Sequence, residues 1–549
     1  MLINNLESYK EILIPCLTSS NSPTCIDTET NITDRYHERY LMGIAIAKDA
    51  ETFYIPVRHA SWMDPDGQNL DPPEDLLTHV RGELVFHNAK FDIHVLRNAG
   101  VIIPENRIYD TMLMAHLIDE NRFSYALDSI AGEVLGVHKE KDLAKIMKRE
   151  WESIAAPIMA KYAEQDARIT LDLYQALKSK FEPYEEVWKV DEKFMLLLQD
   201  MEMKGVPLDL EQTKSLRDMA KKRLADINNE IGFDPAKPSQ LHKKLFGIPP
   251  EGLWLKVTQR TPGGKPQVNT AFLEQCNHPI AGLLLEWRGL QKQLTSYYEA
   301  YINRVEGYGR IHAEFKQHGT VTGRLSCADP NMQQIPRESP VKKLFIAEPG
   351  KELWEIDFKN IEMRLAAVYS KQEGLLDVFK NEGDVHQRTA DELGITRQHA
   401  KIINFLIIYG GGAIALQNQL GVDHKKATAL ITKYRSAYPK LFDVMNQATE
   451  VGRDAGEVRL WSGRKRHFKW PSESIKAFNS IIQGGSFEIV KRSMLLLAAE
   501  GYDIRSQVHD SVWLMVSNSS EIIKAEHIMS DWTEELFGLK FSVESKRLN

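Results

Sequence analysis

At 549 residues the chain is too long for one hydrophobic core and is expected to divide into roughly two to four domains. Its 43% hydrophobic and 26% charged residues describe a water-soluble globular protein, and the excess of acidic over basic residues, 76 to 69, excludes a nucleic-acid binding mode that rests on net charge. Cys16, Cys25, Cys276 and Cys327 show no C-x-x-C spacing, which argues against a zinc site and for free thiols in a reducing, cytoplasmic compartment.

The first residues, with Glu7 and Glu11, match neither a secretory nor a mitochondrial leader. The longest apolar run, 402–416, is broken by Asn404 and three glycines and falls short of the roughly 20 residues a membrane span needs, so no membrane partner is expected. From residue 1 to about 185, short strands alternate with helices. Thr24–Thr30 reads as extended, and a strand's alternation sets Asp27 and Glu29 on one face, where two like charges repel unless a cation lies between them. A strand from Glu83 runs through Asn88 into a helix that carries Asp92. Tyr162 and Asp166, at i and i+4, share one face of a later helix. Taken singly, each acid suits solvent as well as chemistry.

A charged helix around 182–193 leads to Met201-Glu-Met-Lys-Gly-Val-Pro-Leu-Asp209. Long amphipathic helices are expected over 211–230 and 280–305, with a Gly/Pro loop carrying Arg260 and Lys265 between them. Glu352–Ala367 then reads as a strand that ends in a carboxylate, Asp357, before apolar residues return at helical spacing from Asn360. Arg397, Lys401, Phe405 and Tyr409 recur every four residues and share one broad helical face, two cations ahead of two aromatics. Such a face can clamp a triphosphate and stack a base; an ordinary amphipathic helix with buried aromatics is the alternative. The densest basic run, Trp461-Ser-Gly-Arg-Lys-Arg-His-Phe-Lys469, is expected to form a hairpin facing phosphates, with a solvated run as the alternative. Two period-two runs meet at His509-Asp510, a β-hairpin with an acid at its turn. Two aspartates from separate strands can hold two divalent ions about 3.5 to 4 Å apart, which stabilises both oxygens of an in-line phosphoryl displacement.

The order Thr322-Gly-Arg-Leu-Ser326 with Pro330–Pro336, then Asp357 to Arg364, then Arg397-x3-Lys401-x2-Asn404-Phe405-x3-Tyr409-Gly410, then Gln507-Val-His-Asp510, resembles the family A DNA polymerases of the DNA polymerase I type, over nearly the whole chain. The Asp-x-Glu, Asn-x3-Asp and Tyr-x3-Asp groups ahead of it resemble that family's proofreading 3′–5′ exonuclease domain. The resemblance implies an α/β (α+β overall) chain: an RNase H-like exonuclease domain over 1–185, then a right-hand polymerase domain over 186–549. The thumb would span about 190–305, the palm about 306–380 and 440–549, and the fingers about 381–440. No 5′ nuclease domain is expected ahead of them. In the nuclease, Asp27, Glu29, Asp92 and Asp166 would hold two Mg²⁺ or Mn²⁺ ions and Tyr162 would orient the attacking water, with Asp110 structural. In the polymerase, Asp357, Asp510 and the carbonyl of Phe358 would hold two more.

The same resemblance gives Arg397, Lys401 and His386 to the incoming triphosphate, with Lys401 able to protonate the pyrophosphate. Phe405 and Tyr409 would lie near the sugar and template base, and Glu362 would block a 2′-hydroxyl. Arg324 and Gln333 would touch the primer terminus, Asn479 and Gln483 the template-primer minor groove, and His509 counts with these substrate-binding residues. Implied partners are primer-template DNA, single-stranded DNA and dNTPs, for a monomer of compact phage type. A processivity factor, helicase or primase is not legible. There are departures: Ser511 follows Asp510 where the family commonly has Glu, Leu406 stands where Gly is common, and Gly485-Ser-Phe-Glu488 differs from the usual small-residue pattern. Rival readings are a single-subunit RNA polymerase, which Glu362 and the nuclease motifs oppose, and a DNA-binding or processivity factor with a decayed site, which the retained acids and cations oppose.

Overall fold

The computed structural model describes residues 1–31, 33, 36–59, 69–105, 107–138, 154–336 and 339–549. They form two compact units, one of residues 1–205, 314–328 and 348–547, the other of 206–313, 329–347 and the last two residues.

The first unit contains two sheets. In the amino-terminal one, β1 (Thr24–Thr30) pairs antiparallel with β2 (Leu41–Lys48), which pairs antiparallel with β3 (Glu51–Pro56). On its other edge β1 runs parallel to β4 (Leu84–Phe86), and β4 parallel to β5 (Ile108–Asp110), giving the order β3-β2-β1-β4-β5. This is the mixed, RNase H-like sheet the sequence implied. β2 is buried along its whole length, which is why its first seven residues read as an unbroken apolar run where a half-exposed strand would alternate; the buried Lys48 at its end donates to the Leu17 carbonyl. The helix Ala156–Phe181 crosses β1, β2 and β3 and buries Met159, Ala163, Ile169 and Leu173 in the same core as Ile26, Ile44 and Phe86.

The second sheet is antiparallel throughout, in the order Asp503–Val508, Ser511–Val516, Glu352–Phe358, Val543–Arg547. The expected hairpin therefore forms, with His509 at its turn in the left-handed region (φ 56°). The 23-residue helix Ala477–Ala499 and the helix Ser520–Phe537 pack together beside this sheet. The helix Glu185–Lys204 touches both Ala89–Asn98 and Ala477–Ala499, so it belongs with this unit, and the second unit begins only at Val206.

One expectation is overturned here. The Trp461–Lys469 run does make a hairpin, Glu457–Arg459 with Lys465–His467, but two of its cations face inward. Arg464 is 6% exposed and binds Asp191 and, at 2.8 Å, Glu488, while Lys491 reaches the same two acids at 2.6 and 2.8 Å. Arg466 and His467 both bind Glu120, at 2.7 and 2.8 Å. Burial pushes the Asp191 carboxyl up, but Arg464 and Lys491 outweigh it and hold the group below its ordinary range. A carboxylate buried by the fold needs a cation beside it, and these arginines supply that need in place of phosphate binding.

The second unit is helical. Asp209 caps the helix Leu210–Ile231 by accepting from the Gln212 amide at 2.8 Å, and Leu224 and Ile227 pack with Leu284 and Trp287 of the helix Ile280–Gln293. The expected second long helix continues through a π-turn, Leu294–Tyr298, into Glu299–Arg304. In the loop between, Thr261 and Lys265 are joined through their backbones and Arg260 donates to the Gly264 carbonyl at 2.8 Å; both cations stay exposed.

Two candidate active sites

Asp357 stands directly opposite Ser511 in the paired strands, and the Phe358 amide donates to the Asp510 carbonyl at 3.3 Å. The two aspartates that sequence spacing leaves 153 positions apart are therefore neighbours across one strand pair, each half-buried. Gln507 closes the turn by donating to the His509 carbonyl. The chain then turns at Asn360 (φ 52°) into the helix Ile361–Ser370, whose first turn carries Glu362. Glu362 is buried, accepts from Arg324, and accepts from the Tyr409 hydroxyl at 2.7 Å. Burial raises its pKa against the opposing pull of Arg324 and the tyrosine, and Asp510 adds to the rise, so the Asp510 charge lies within reach of Glu362.

The helix Arg397–Ile408 is capped by Thr396, and Tyr409 is its carboxyl cap. Arg397 and Lys401 are exposed, Phe405 is half-buried and Tyr409 is 44% exposed, so the face is open and the aromatics are not in the core. Phe405 lies 6.2 Å from Tyr409 and 5.7 Å from His386 between ring centres. Arg397 donates to Asp384 at 2.6 Å, and Asp384 also caps the helix Val385–Leu393 that holds His386. His386 itself is 2% exposed, and burial pushes its pKa down to about 4, so the ring is neutral at pH 7. The Asn404 amide nitrogen donates to His386 Nδ1 at 2.9 Å, its side-chain oxygen lying 3.1 Å from the Thr389 hydroxyl, whose proton the Val385 carbonyl also approaches at 3.0 Å. Nδ1 then accepts and Nε2 carries the proton, enclosed without a hydrogen-bond partner among the described residues.

Asn479 and Gln483 lie half-buried, one turn apart, on the helix Ala477–Ala499, and the Asn479 amide nitrogen is likewise enclosed without a partner. Asn479 and Phe478 help line a cavity of about 450 Å³ behind Gly410, Gly411 and Gly412. The departures from the family pattern find explanations. Leu406 packs on Gly411, where a β-carbon would sit 2.6 Å from the leucine side chain, so the glycine makes room for it. Glu488 is spent on Arg464 and Lys491. Ser511 is buried, its hydroxyl oxygen 2.8 Å from both Glu355 Oε1 and the Val508 carbonyl oxygen, which share its single proton. Gln333 lies in the second unit, half-buried in the short turn Met332–Gln334.

In the amino-terminal sheet Asp27 and Glu29 lie on β1, and Asp92 accepts from the Thr28 amide at 3.0 Å and its hydroxyl at 2.7 Å. Asp110 does structural work: it accepts from the Asn88, Ala89 and Met112 amides at 3.0, 2.9 and 2.9 Å, fixing the start of the helix that carries Asp92. Burial lifts the Asp92 carboxyl to about 7 and Asp110 to about 6. Burial raises the thiol pKa of Cys25 on β1, and the charges of Asp27, Asp92 and Asp166 add to the rise, so each acid lies within electrostatic reach of that strand. Tyr162 lies half-buried one turn before Asp166. Asp27 and Asp166 line one side of a cavity of about 670 Å³, with Asn88, Phe123, Tyr125, His318 and Thr320 among its other walls. Phe123 is fully exposed there. His116, buried and held near pKa 4, donates to the Thr320 carbonyl at 3.1 Å.

Among the described residues, no three His, Cys, Asp or Glu side chains come together as a ready-made metal cage. Asp357 and Asp510 instead meet across one strand pair, and Asp27 and Asp166 line one cavity, Asp166 itself buried. Such pairs fit Mg²⁺, which keeps several waters and takes one or two carboxylates together with substrate phosphates. Sequence reading passed over Glu355, although its spacing two before Asp357 puts it on the same strand face; nothing local marked Phe123 or His318.

Residues 209–546 match the profile of DNA polymerase family A, and residues 7–182 that of a 3′–5′ exonuclease. The DNA polymerase I of Pseudomonas aeruginosa is 30% identical over 89% of this chain and 59% of its own length; that of Treponema pallidum is 32% identical over 75% and 44%. The chain thus spans roughly half of these bacterial relatives. DNA polymerase DpoZ of Salmonella phage PMBT28 is 27% identical over 94% of this chain and 92% of its own. The structure of the POL domain of Pol1 from M. smegmatis, in complex with DNA primer-template and dNTP, superposes with a TM-score of 0.83 at 22% identity, covering 98% of this chain and 97% of that one; at that identity the likeness establishes the fold.

Proposed function

The chain belongs to DNA polymerase family A, and from that premise we propose that it extends a primer 3′ end on a DNA template with dNTPs and trims the same end hydrolytically at a second, separate site. The observation that carries this reading is the meeting of Asp357 and Asp510 across one strand pair beside the Arg324–Glu362–Tyr409 cluster. On this reading the second unit is the thumb, the sheet of Asp357 the palm, and the helices from Val385 to Ala437 the fingers.

Two Mg²⁺ or Mn²⁺ ions held by Asp357 and Asp510, with the Phe358 carbonyl, would acidify the primer hydroxyl and offset charge on the phosphates. The chain's own residues do the rest. Arg397 and Lys401, exposed one turn apart, grip the triphosphate, with Lys401 placed to give a proton to the leaving pyrophosphate. The His386 Nε2–H adds a neutral donor once the helices shift to admit a phosphate oxygen. Tyr409 and Phe405 present ring faces to the nascent pair. Glu362, held by Arg324 and Tyr409, fills the space a 2′-hydroxyl would need, which favours deoxynucleotides and opposes the RNA polymerase alternative. Gln333, Asn479, Gln483 and His509 attend the primer-template duplex, and Arg260 and Lys265 its phosphates.

In the nuclease, the aromatic walls Phe123, Tyr125 and His318 suit the unstacked bases of a frayed 3′ end, directing the terminal phosphodiester to Asp27, Glu29, Asp92 and Asp166. Tyr162 orients the attacking water. Asp92 is held by the Thr28 amide and hydroxyl, while Glu29 shares the strand face of Asp27. Among the described residues no helix is long and apolar enough to cross a membrane. The test is a labelled primer on a longer template with Mg²⁺: bands should lengthen with dNTPs and shorten without them, and a primer unchanged under both conditions refutes the reading.

A further inference from the structure

We propose that Glu355 is the third acidic group of the polymerase centre, placed at 355 where related chains place a glutamate at 511. This rests on the polymerase reading above. In the strand Glu352–Phe358, Glu355 precedes Asp357 by two residues and so points to the same face of the sheet. Across the strand pair Asp357 faces Ser511 and Glu355 faces Trp513, which makes Glu355 and Ser511 diagonal neighbours. The Ser511 hydroxyl donates to Glu355 Oε1 at 2.8 Å, and the Trp513 indole N–H approaches the same oxygen at 3.4 Å. One carboxylate and one small hydroxyl therefore occupy adjacent places on the face that carries Asp357, as they would if Glu stood at 511 and Ser at 355.

Glu355 is 9% exposed. An amide of the same shape would accept both hydrogen bonds without the cost of desolvating a charge, so hydrogen bonding alone does not account for an acid at this place. Positive charge accounts for it: Lys546 faces Glu355 across the other strand pair, and divalent cations at Asp357 and Asp510, on the same face, would each bring two charges that this carboxylate partly offsets. Glu355 is a positioning residue: its charge deepens the cation site, and it draws on the one Ser511 proton that the Val508 carbonyl also approaches, at the turn that presents Asp510.

The test compares the native protein with Glu355→Gln, which keeps shape and acceptor, and with the reciprocal double variant Glu355→Ser, Ser511→Glu. Two quantities are read: the Mg²⁺ concentration that half-activates single-nucleotide incorporation, and Mn²⁺ binding to the enzyme with primer-template but no dNTP, by electron paramagnetic resonance. Glu355→Gln should raise the half-activating Mg²⁺ about tenfold and weaken Mn²⁺ binding in parallel, as loss of groups behind metal ligands does, while the rate at saturating Mg²⁺ falls less than about threefold. The double variant should recover most of that loss. If Glu355→Gln leaves Mn²⁺ binding and Mg²⁺ dependence within about twofold of native, as a purely structural cross-strand bond predicts, the proposal is overturned. A double variant that unfolds at the native temperature but binds Mn²⁺ no better than Glu355→Gln overturns the exchange of positions. Absence of incorporation by the native protein sinks the polymerase reading instead, and the Mn²⁺ comparison still decides the role of Glu355.

Discussion

Glu362 is held from two sides, and this makes the consequence of losing it specific. Arg324 and Tyr409 fix the carboxylate in one place, so Glu362→Ala should open room for a 2′-hydroxyl and release Tyr409 at once. We expect the ratio of kcat/KM for dNTP over rNTP to fall at least about tenfold, roughly 1.4 kcal/mol, with a smaller loss in deoxynucleotide use; an unchanged ratio removes Glu362 from the gate. Asp510 and Ser511 are adjacent but unequal. Asp510→Asn should cost about a thousandfold or more in single-turnover incorporation, roughly 4 kcal/mol, because it removes one of the two carboxylates that meet across the strand pair. Ser511→Ala should stay within about tenfold, since its hydroxyl reaches Glu355 and Val508 and does not meet Asp510. Equal losses would put the hydroxyl itself among the reacting groups.

At the scale of single elements, period and capping were informative, and pairing partners were not. The four-residue spacing of Arg397, Lys401, Phe405 and Tyr409 marked a real open face, because side chains at i and i+4 share a face in any α-helix. The basic hairpin was legible as a hairpin, yet the side its cations face depends on Asp191, Glu488 and Glu120, which come from distant elements. This arrangement makes stability depend on pH. The hydrogen bond to Glu120 raises His467 against burial, and that bond holds Glu120 low although burial raises it. A raised histidine stabilises the fold fully below its unfolded value near 6.5 and loses that contribution as pH rises through the folded one; the lowered Glu120 loses its share only in acid. The Tm advantage of the native protein over His467→Gln should therefore shrink between pH 6 and pH 8.5. A gap that is constant across that range would show that the histidine carries no charge in the fold.

At the scale of the whole molecule, the two acidic centres lie in different sheets, and each should be removable alone. Asp27→Ala should abolish shortening of a labelled primer and leave extension within about twofold; loss of both activities in a folded variant would mean one shared site. By itself the sequence determined the family, the order of its motifs, the strand that ends in Asp357, the hairpin acid Asp510 and the helix face from Arg397 to Tyr409. Those features are local, set by periods of two and of about 3.6 and by turns that need no distant partner. Only the tertiary structure decided that Arg464 and Arg466 face acids and not phosphates, that His386 is neutral and enclosed, and that Ser511 answers to Glu355. Each of these depends on which buried charge or hydroxyl lies opposite after strands and helices far apart in the chain have met, and in a low-dielectric interior that neighbour, more than the residue's own type, sets where a polar side chain points.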